Sequence, residues 1–311
     1  MKIYYYQRED HQPNFGDELN AWLWPKFLTN TFDQDSDFLF VGIGTLLNNR
    51  LPKRIKSAKS VVIMGTGAGY EQPLRQIPGH WQIYCVRGPL SAKQLRLPPS
   101  KAIADGGLLI NRVFSKSQSC SFAVSFIPHI HHASYATKPW QAICQAAGIH
   151  YIDPRWSVEQ VLTEISQSQL LLAEAMHGAI AADALRVPWI PIVTSSRILH
   201  FKWQDWCQSM HLTYKPQFVP PLSHYPQISL LSHYPRRGRK LRTRLSAGHH
   251  WWRSFAQNTL KTARYGLTTD SALISQCFIQ IIKNAAPSLS KRGVLSMRLA
   301  QLEEQLYSIQ S

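Results

Sequence analysis

Strand-like and helix-like patterns alternate along the first 118 residues of the chain. Four short runs favour strands, and two of them, 38–44 and 60–67, are apolar throughout, which is typical of strands buried on both faces of a parallel sheet. Helical spacing lies between the runs, with Asp17 and Ser91 as predicted N-caps. We therefore predict a Rossmann-like domain over 1–118. Its predicted elements are strands 2–6, 38–44, 60–67 and 81–88 and helices at about 18–29 and 91–97.

The same alternation returns between residues 119 and 215. Strands and helices follow one another in βαβαβ order, which is typical of a parallel sheet with crossover helices. We predict a second Rossmann-like domain over 119–215. The fold class expected for the chain is α/β, with two doubly wound domains that face each other across a cleft.

The pattern changes at residue 216. A proline-rich stretch contains LSHYP twice, at 222–226 and 231–235, and helical patterns follow it. Residues 216–311 are therefore predicted to be a linker and a basic helical extension that packs back on the two domains. Its predicted helices are about 239–264, 270–284 and 290–307. The last predicted helix carries a leucine stripe for the core or for a partner, at Leu295, Leu299, Leu302 and Leu306.

Charge adds a feature that the pattern does not show. The 311 residues carry 34 Lys and Arg against 18 Asp and Glu, and nine of these basic residues with one acid lie within 231–270. Such a stretch favours an anionic partner, although a solvated helical face explains it equally well. No nucleic-acid-binding motif is recognisable, so no nucleic-acid partner is expected. Trp251 and Trp252, beside Arg253, make 236–264 a candidate for contact with an anionic membrane surface.

Composition excludes several classes of protein. The chain is 44% hydrophobic and 17% charged, as in globular proteins, and no apolar run reaches the ~18 residues of a membrane-spanning helix. The N-terminal residues turn acidic before a signal-peptide core forms. Five cysteines without a CxxC pair predict neither a disulfide framework nor a zinc site. We expect a cytoplasmic protein, with peripheral association at the inner face of the membrane as a further hypothesis.

Small residues follow the buried strands at the predicted crevice. The second predicted strand ends at Gly44 and is followed by Thr45, and the third ends with Gly65 and Gly67. Glycines at the carboxyl ends of parallel strands let a ligand approach the backbone, so we predict that these residues contact substrate. The pattern is weak by itself, because no complete GxGxxG motif is present.

Two loops of the first domain carry candidate polar groups. Asn14, Gly16 and Asp17 follow the first strand, where Asp17 is suited either to accept a proton from a hydroxyl or to cap a helix. Arg87 lies at the end of the fourth predicted strand, and its planar guanidinium suits a carboxylate or phosphate, although a single arginine is more often a surface residue.

The second domain contributes Glu174, His177 and Gly178 at a predicted strand-to-helix junction. Backbone N–H groups at a helix N-terminus favour an anion, and a histidine there is suited to general acid catalysis. A capping glutamate and a core histidine are the alternative. His129, with His131 and His132, follows the preceding strand; a polar loop lining the cleft is favoured over a metal site, so no metal is expected.

Several segments together resemble the polysaccharide pyruvyl transferase family. They are NFGDELNAWLW, FVGIGTLL, GTGAGY, YCVRGPLSA, FIPH, and LLAEAMHGAIAADALRVPWIPI followed by FKWQDWC, within residues 1–210. The bacterial exopolysaccharide ketal-pyruvate transferases are the most similar branch. The resemblance implies a GT-B-like arrangement, with the site between two Rossmann-like domains.

The resemblance also implies an activity. It is the transfer of pyruvate from phosphoenolpyruvate onto two hydroxyls of a sugar, in a lipid-linked exopolysaccharide unit, to form a cyclic ketal without a further cofactor. His177 is then the proton donor, Asp17 the base and Arg87 the anion clamp, while Glu174 orients His177 or binds sugar. Many family members carry an arginine where this chain has Ala175. Either the missing cation comes from one of four residues, Arg87, Lys202, Arg197 or His129, or the donor differs from phosphoenolpyruvate.

Two other functions are compatible with the same residues. A GT-B glycosyltransferase would place a nucleotide sugar at the same helix N-terminus. A nucleic-acid- or membrane-binding protein without catalytic activity would rely on the basic extension. Stabilisation by phosphoenolpyruvate or by a nucleotide sugar distinguishes the two enzymes.

Overall fold

The computed structural model describes residues 1–195, 198–222 and 271–310, which form a mixed α/β structure with two parallel sheets. The strands of the first sheet are β1 (Lys2–Tyr4), β2 (Phe38–Val41), β3 (Ser60–Met64) and β4 (Trp81–Cys85). They lie side by side in chain order. Because this order never reverses, the predicted double winding is wrong for the first sheet.

The second sheet does reverse its strand order. Its strands are β5 (Phe122–Ile127), β6 (His150–Tyr151), β7 (Ser168–Ala173), β8 (Trp189–Val193) and β9 (Gln217–Phe218). The spatial order is β6-β5-β7-β8-β9, so the chain leaves β5 towards one side and returns on the other. Such a switch point opens a crevice between the loops that follow the two neighbouring strands. Here those loops follow β5 and β7, and they carry His129 and His177.

Helices cover the sheets and lie between them. They are α1 (Phe15–Leu23), α2 (Leu51–Arg54), α3 (Pro89–Leu95), α4 (Ile110–Val113), α5 (Ile130–Ala147), α6 (Val158–Ser166), α7 (Met176–Ala184), α8 (His200–Ser209), α9 (Ser271–Asn284) and α10 (Arg292–Gln310). Short 3-10 turns cover Trp24–Lys26, Pro99–Lys101 and Gly106–Leu109. No helix among these described residues is long and apolar enough to cross a membrane.

One hydrophobic core connects the two sheets. It includes Phe40 and Met64 from the first sheet, Leu171 and Ala173 from the second, and the fully buried Trp24 between them. Burial of these side chains is the main stabilising term of the structure. The loops at the ends of both sheets are consequently held against each other.

The two described C-terminal helices pack back on the sheets, as predicted. α9 lies along α5, and α10 contacts both β4 and the Gly106–Leu109 turn. The predicted leucine stripe on α10 is buried within the chain's own core. The predicted helix 239–264, the basic stretch 236–264 and all of the LSHYP repeat except Leu222 lie outside the described residues.

Helix boundaries differ from the predictions in two loops that matter for the site. α1 begins at Phe15 with Asn14 in extended geometry as its N-cap, so Asp17 lies inside the first turn. α3 begins at Pro89 with Gly88 as its N-cap, and the Ser91 hydroxyl binds the Asp205 carboxylate instead of capping the helix. A tertiary hydrogen bond determines the use of the Ser91 side chain, whereas the Asp17 carboxylate accepts a local hydrogen bond from Asn14.

The histidine-rich segment is helical, although a loop is predicted there. α5 begins at Ile130, and its backbone departs from helical geometry at Ala136, three residues before Pro139. A proline lacks the N–H that a continuous helix requires, which accounts for a break at this point. The division of the chain at residues 118 and 215 stays a prediction, and β9 extends the second sheet beyond 215.

Candidate functional site

The predicted site residues gather where the parallel strands of both sheets end. Asn14, Gly16 and Asp17 follow β1, whereas His129 and His177 follow β5 and β7. Gly16 lies directly against the His177 ring, and any larger side chain at position 16 would overlap that ring. This close approach brings Asp17 and His177 into one site although they belong to different sheets.

His177 is the second residue of α7, and no side chain caps that helix. Its side chain is 16% exposed. Its Nε2 atom is buried and lies 3.7 Å from Oδ2 of the fully buried Asp105. The ring therefore has one nitrogen inside the protein, and its other nitrogen, Nδ1, lies on the Gly16 side.

Asp17 is partly buried beside this histidine. Its Oδ2 accepts a hydrogen bond from Nδ2 of Asn14 at 2.6 Å. Burial raises the pKa of the Asp17 carboxyl, and the Asn14 hydrogen bond with the nearby charges of His177 and Lys202 opposes this shift without cancelling it. A carboxylate with a raised pKa is better suited to accept a proton near neutral pH than an ordinary aspartate.

Lys202 brings positive charge to the same site. Its buried side chain extends from α8, and its Nζ donates to the Tyr70 hydroxyl at 3.0 Å. Its charge contributes to the pKa values of both Asp17 and His129. Burial lowers the pKa of His129 well below its ordinary value, and the positive charges around it act in the same direction. His129 is therefore neutral at physiological pH and offers hydrogen bonds, not charge.

A small polar cavity adjoins Asn14 and Asp17. It has a volume of about 230 Å³, and its other lining residues are Tyr6, Gln7, Arg8, His11, Gln12 and Glu18. A larger cavity of about 700 Å³ lies elsewhere, beside Lys53, Arg75 and Arg96, and none of the predicted site residues lines it. The position of Asp17 thus favours the smaller cavity as the one linked to the candidate chemistry.

Arg87 has a different role from the predicted anion clamp. Its side chain is completely buried, and its Nε donates to Oδ2 of the equally buried Asp205 at 3.0 Å. Further hydrogen bonds run from Nη1 to the Gly44 carbonyl and the Thr45 hydroxyl, and from Nη2 to the Ala68 carbonyl. Because its donors are used within the chain, the guanidinium is not available to a substrate in this structure.

The glycine-rich loops pack closely around the buried Arg87 side chain and the neighbouring backbone. Gly67 lies so close to the Arg87 guanidinium that a side chain would displace it, and Gly65 lies against the backbone of Gly106. Gly44 and Thr45 accept hydrogen bonds from Arg87, although Thr45 is only half-buried, and contact of these four residues with substrate stays a prediction. Gly178, predicted to leave room for a ligand, lies against Ile127.

Glu174 is likewise a structural residue and does not orient His177. Its Oε2 accepts from His132 Nδ1 at 2.6 Å and from the His129 backbone N–H at 2.9 Å. Its Oε1 accepts from the Thr194 hydroxyl and backbone N–H. Burial alone would raise the pKa of Glu174, but the charge of His132 and these hydrogen bonds lower it below its ordinary value. The ionised carboxylate joins the loops after β5, β7 and β8 and leaves no oxygen for a sugar.

The remaining candidates are those for a metal site and for the missing cation. Among the described residues, no group of three His, Cys, Asp or Glu side chains is arranged to hold a metal ion. Arg197 lies outside the described residues. Lys202 is thus the predicted cation that the structure places beside both Asp17 and His129.

Sequence reasoning missed three residues that shape the site. Asp205 holds Arg87, Tyr70 accepts a hydrogen bond from Lys202, and Asp105 faces His177. Asp105 stands before two glycines, which the sequence marks only as a turn. The contacts of all three residues span long sequence separations, so no local signal identifies their partners.

Comparisons with known proteins match most of the chain by sequence. A family model described as polysaccharide pyruvyl transferase matches residues 3–196, which include the strand ends from β1 to β8. The succinoglycan biosynthesis protein ExoV of Rhizobium meliloti (strain 1021) is 41% identical over 223 residues, covering 71% of this chain and 68% of that protein. No solved structure matches the chain at a significant level.

Proposed function

The chain belongs to the polysaccharide pyruvyl transferase family, and from this premise we propose that it transfers pyruvate from phosphoenolpyruvate onto two hydroxyls of a sugar in exopolysaccharide biosynthesis. The product is a cyclic ketal. The observation that carries the proposal is the juxtaposition of His177 and Asp17, one from each sheet, beside Lys202. The family favours this function over the glycosyltransferase and the non-catalytic binding protein.

The first step is addition of a sugar hydroxyl to the donor. His177 gives a proton to the methylene carbon of phosphoenolpyruvate, and C2 becomes an oxocarbenium-like centre. The hydroxyl oxygen bonds to C2 while Asp17 accepts the hydroxyl proton, a task to which its raised pKa is suited. The product of this step still carries the phosphate on C2.

The second step closes the ketal. The second hydroxyl oxygen bonds to C2, the bond between C2 and the phosphate oxygen breaks, and the hydroxyl proton leaves with inorganic phosphate. Proton return from Asp17 to His177 restores the site. As written, the reaction uses no metal or other cofactor, so we expect EDTA to leave the rate unchanged.

The binding groups follow from the charges of the donor. Phosphoenolpyruvate carries a carboxylate and a phosphate, which Lys202 and the uncapped N-terminus of α7 attract. His129 supplies neutral hydrogen bonding at the same edge. The cavity of about 230 Å³ beside Asp17 is proposed to hold the acceptor sugar. We propose that this site lies between two domains in a GT-B-like arrangement.

The decisive experiment incubates the purified protein with phosphoenolpyruvate and an exopolysaccharide repeat unit, both lipid-linked and free. Release of inorganic phosphate and the mass gain of one pyruvate ketal on the glycan are the expected results. UDP-glucose and GDP-mannose serve as competing donors. Sugar transfer from either nucleotide without ketal formation would refute the proposal.

We also propose that residues 236–264 attach the enzyme to an anionic membrane at which a lipid-linked acceptor is presented. The basic composition of this segment supports the proposal. We expect co-sedimentation with anionic vesicles at low salt and its loss at high salt, because surface charges are screened. A protein that stays in the supernatant with such vesicles at low salt would contradict it.

A further inference from the structure

Two buried polar atoms face each other beside the proposed reaction centre without a hydrogen-bond partner. They are Oδ2 of Asp105 and Nε2 of His177, separated by 3.7 Å. Buried polar atoms in folded proteins nearly always have a partner, so an unsatisfied pair needs an explanation. A shift of roughly 0.8–1 Å would bring these two atoms to a strong hydrogen bond.

We propose that Asp105 is a positioning residue for His177, an assignment that rests on the proposed function of His177 as the proton donor. The Asp105 carboxylate accepts a hydrogen bond from Nε2–H and thereby selects one tautomer of the neutral ring. Nδ1 is left as the nitrogen that exchanges a proton with the substrate. Orientation of a catalytic histidine by a buried aspartate is an established physical device in other enzymes.

Asp105 itself is held firmly. Its side chain is fully buried, and Oδ1 accepts a hydrogen bond from the Gly107 backbone N–H at 2.9 Å. This bond caps the 3-10 turn Gly106–Leu109, which packs against α7, the helix that carries His177. The carboxylate therefore has one oxygen for its own loop and one for the histidine.

The other side of the ring is also constrained. Gly16 approaches the His177 ring at its Nδ1 side, where no side chain intervenes. The ring thus lies between the Asp105 carboxylate and the backbone of the loop that carries Asp17, and its side chain is still 16% exposed. Glu174, the other acid considered for this role, is occupied by His132 and Thr194.

The test exchanges a single atom of the Asp105 side chain. In Asp105→Asn the amide oxygen still accepts from Gly107, so the turn keeps its cap. The amide NH₂ then faces Nε2 and can only donate to it. We expect the neutral His177 ring to change from the Nε2–H to the Nδ1–H tautomer. The readout is ¹⁵N NMR of histidine-labelled protein, with the His177 signals assigned by their loss in His177→Gln.

The same variant is assayed for ketal formation. We expect kcat to fall by about 10²-fold or more, with a KM for phosphoenolpyruvate within about threefold of the wild-type value, because the donor's binding groups are untouched. Asp183→Asn is the matched control. Asp183 is equally buried and accepts from Trp189 and Ser290, so its variant is expected to lose stability while the His177 tautomer is unchanged.

The two readouts separate the outcomes. An unchanged tautomer in Asp105→Asn, or a changed tautomer with a wild-type kcat, would overturn the positioning role. If the wild-type protein forms no ketal with any acceptor, the proposed function fails. The tautomer measurement still decides in that case whether Asp105 controls the His177 ring.

Discussion

Two pairs of ionisable side chains, Arg87 with Asp205 and His177 with Asp105, differ in how far their hydrogen bonds are satisfied within the protein. Arg87 and Asp205 are both completely buried and bonded to surrounding loops on every side. His177 and Asp105 have buried atoms without partners, and His177 is partly exposed. The hydrogen-bonding groups of Arg87 and Asp205 are satisfied within the protein. Those of His177 and Asp105 are not, so this second pair can still bind a proton or a ligand.

This difference separates the scaffold from the reactive centre. A fully bonded guanidinium can bind a substrate only after it breaks existing bonds, which is unfavourable in a buried site. A histidine with one free nitrogen exchanges a proton without such a loss. Glu174 belongs with the scaffold by the same criterion, although its sequence motif places it beside His177.

The largest effect is expected at the reactive centre. His177→Gln keeps a polar side chain of related size but removes the proton donor, so kcat for ketal formation should fall by about 10²–10⁴-fold while the folded state persists. Phosphate release measures the rate, and thermal unfolding measures the fold. His150→Gln is the control, because His150 pairs with Glu164 away from the crevice. A near-wild-type rate in His177→Gln would show that His177 is not the proton donor and that the His177–Asp105 pair is not the reactive centre.

The scaffold should respond in stability. Arg87→Met leaves the Asp205 carboxylate buried without its counter-charge, which should lower the free energy of unfolding by about 3–5 kcal/mol. Urea denaturation measures the change. Arg112→Met is the control, since the exposed Arg112–Glu303 pair should contribute at most about 1 kcal/mol. A stable Arg87→Met protein with weakened phosphoenolpyruvate binding would instead restore the anion-clamp role.

The pH dependence tests Asp17. Its raised pKa means that the carboxyl stays protonated to a higher pH than an ordinary aspartate. A base must be deprotonated, so kcat/KM should rise with pH through this elevated value. Asp17→Asn should lower kcat/KM by about 10²-fold and abolish that limb. Glu18, whose charge helps to raise the pKa of Asp17, offers a matched variant. Glu18→Gln should keep the enzyme active and move the rise in kcat/KM to lower pH. If the rise stays at the same pH, it reports the titration of a group other than Asp17.

The smallest of these effects is expected at Lys202. Lys202→Met should raise the KM for phosphoenolpyruvate about tenfold, because one charged hydrogen-bond donor to an anion is lost, with a smaller change in kcat. Tyr70→Phe removes only the hydroxyl that accepts from Lys202, so its KM should stay within about twofold of the wild-type value. A larger loss in kcat than in KM for Lys202→Met would indicate a role in the chemical step.

Local pattern was sufficient for most of the elements. The continuous apolar runs predicted the buried parallel strands, and the glycine at position 148 correctly ended α5. Residues such as His177 and Asp17 were found because each follows a strand in its own local motif. Arg87 and Glu174 were given the wrong partners, because Asp205 and His132 are distant from them in sequence and no spacing rule connects them.

Short-range features of the amino-acid sequence account for the alternation of strands and helices, the family motifs and the placement of polar groups at strand ends. These properties depend on neighbours within a few residues, where periodicity and backbone preferences act. Long-range contacts in the folded protein determine which polar groups satisfy one another and which stay available. Which groups are satisfied depends on burial and on contacts between the two sheets. As a result Arg87 is a buried structural residue, whereas His177, which faces Asp105, is the centre of the proposed chemistry.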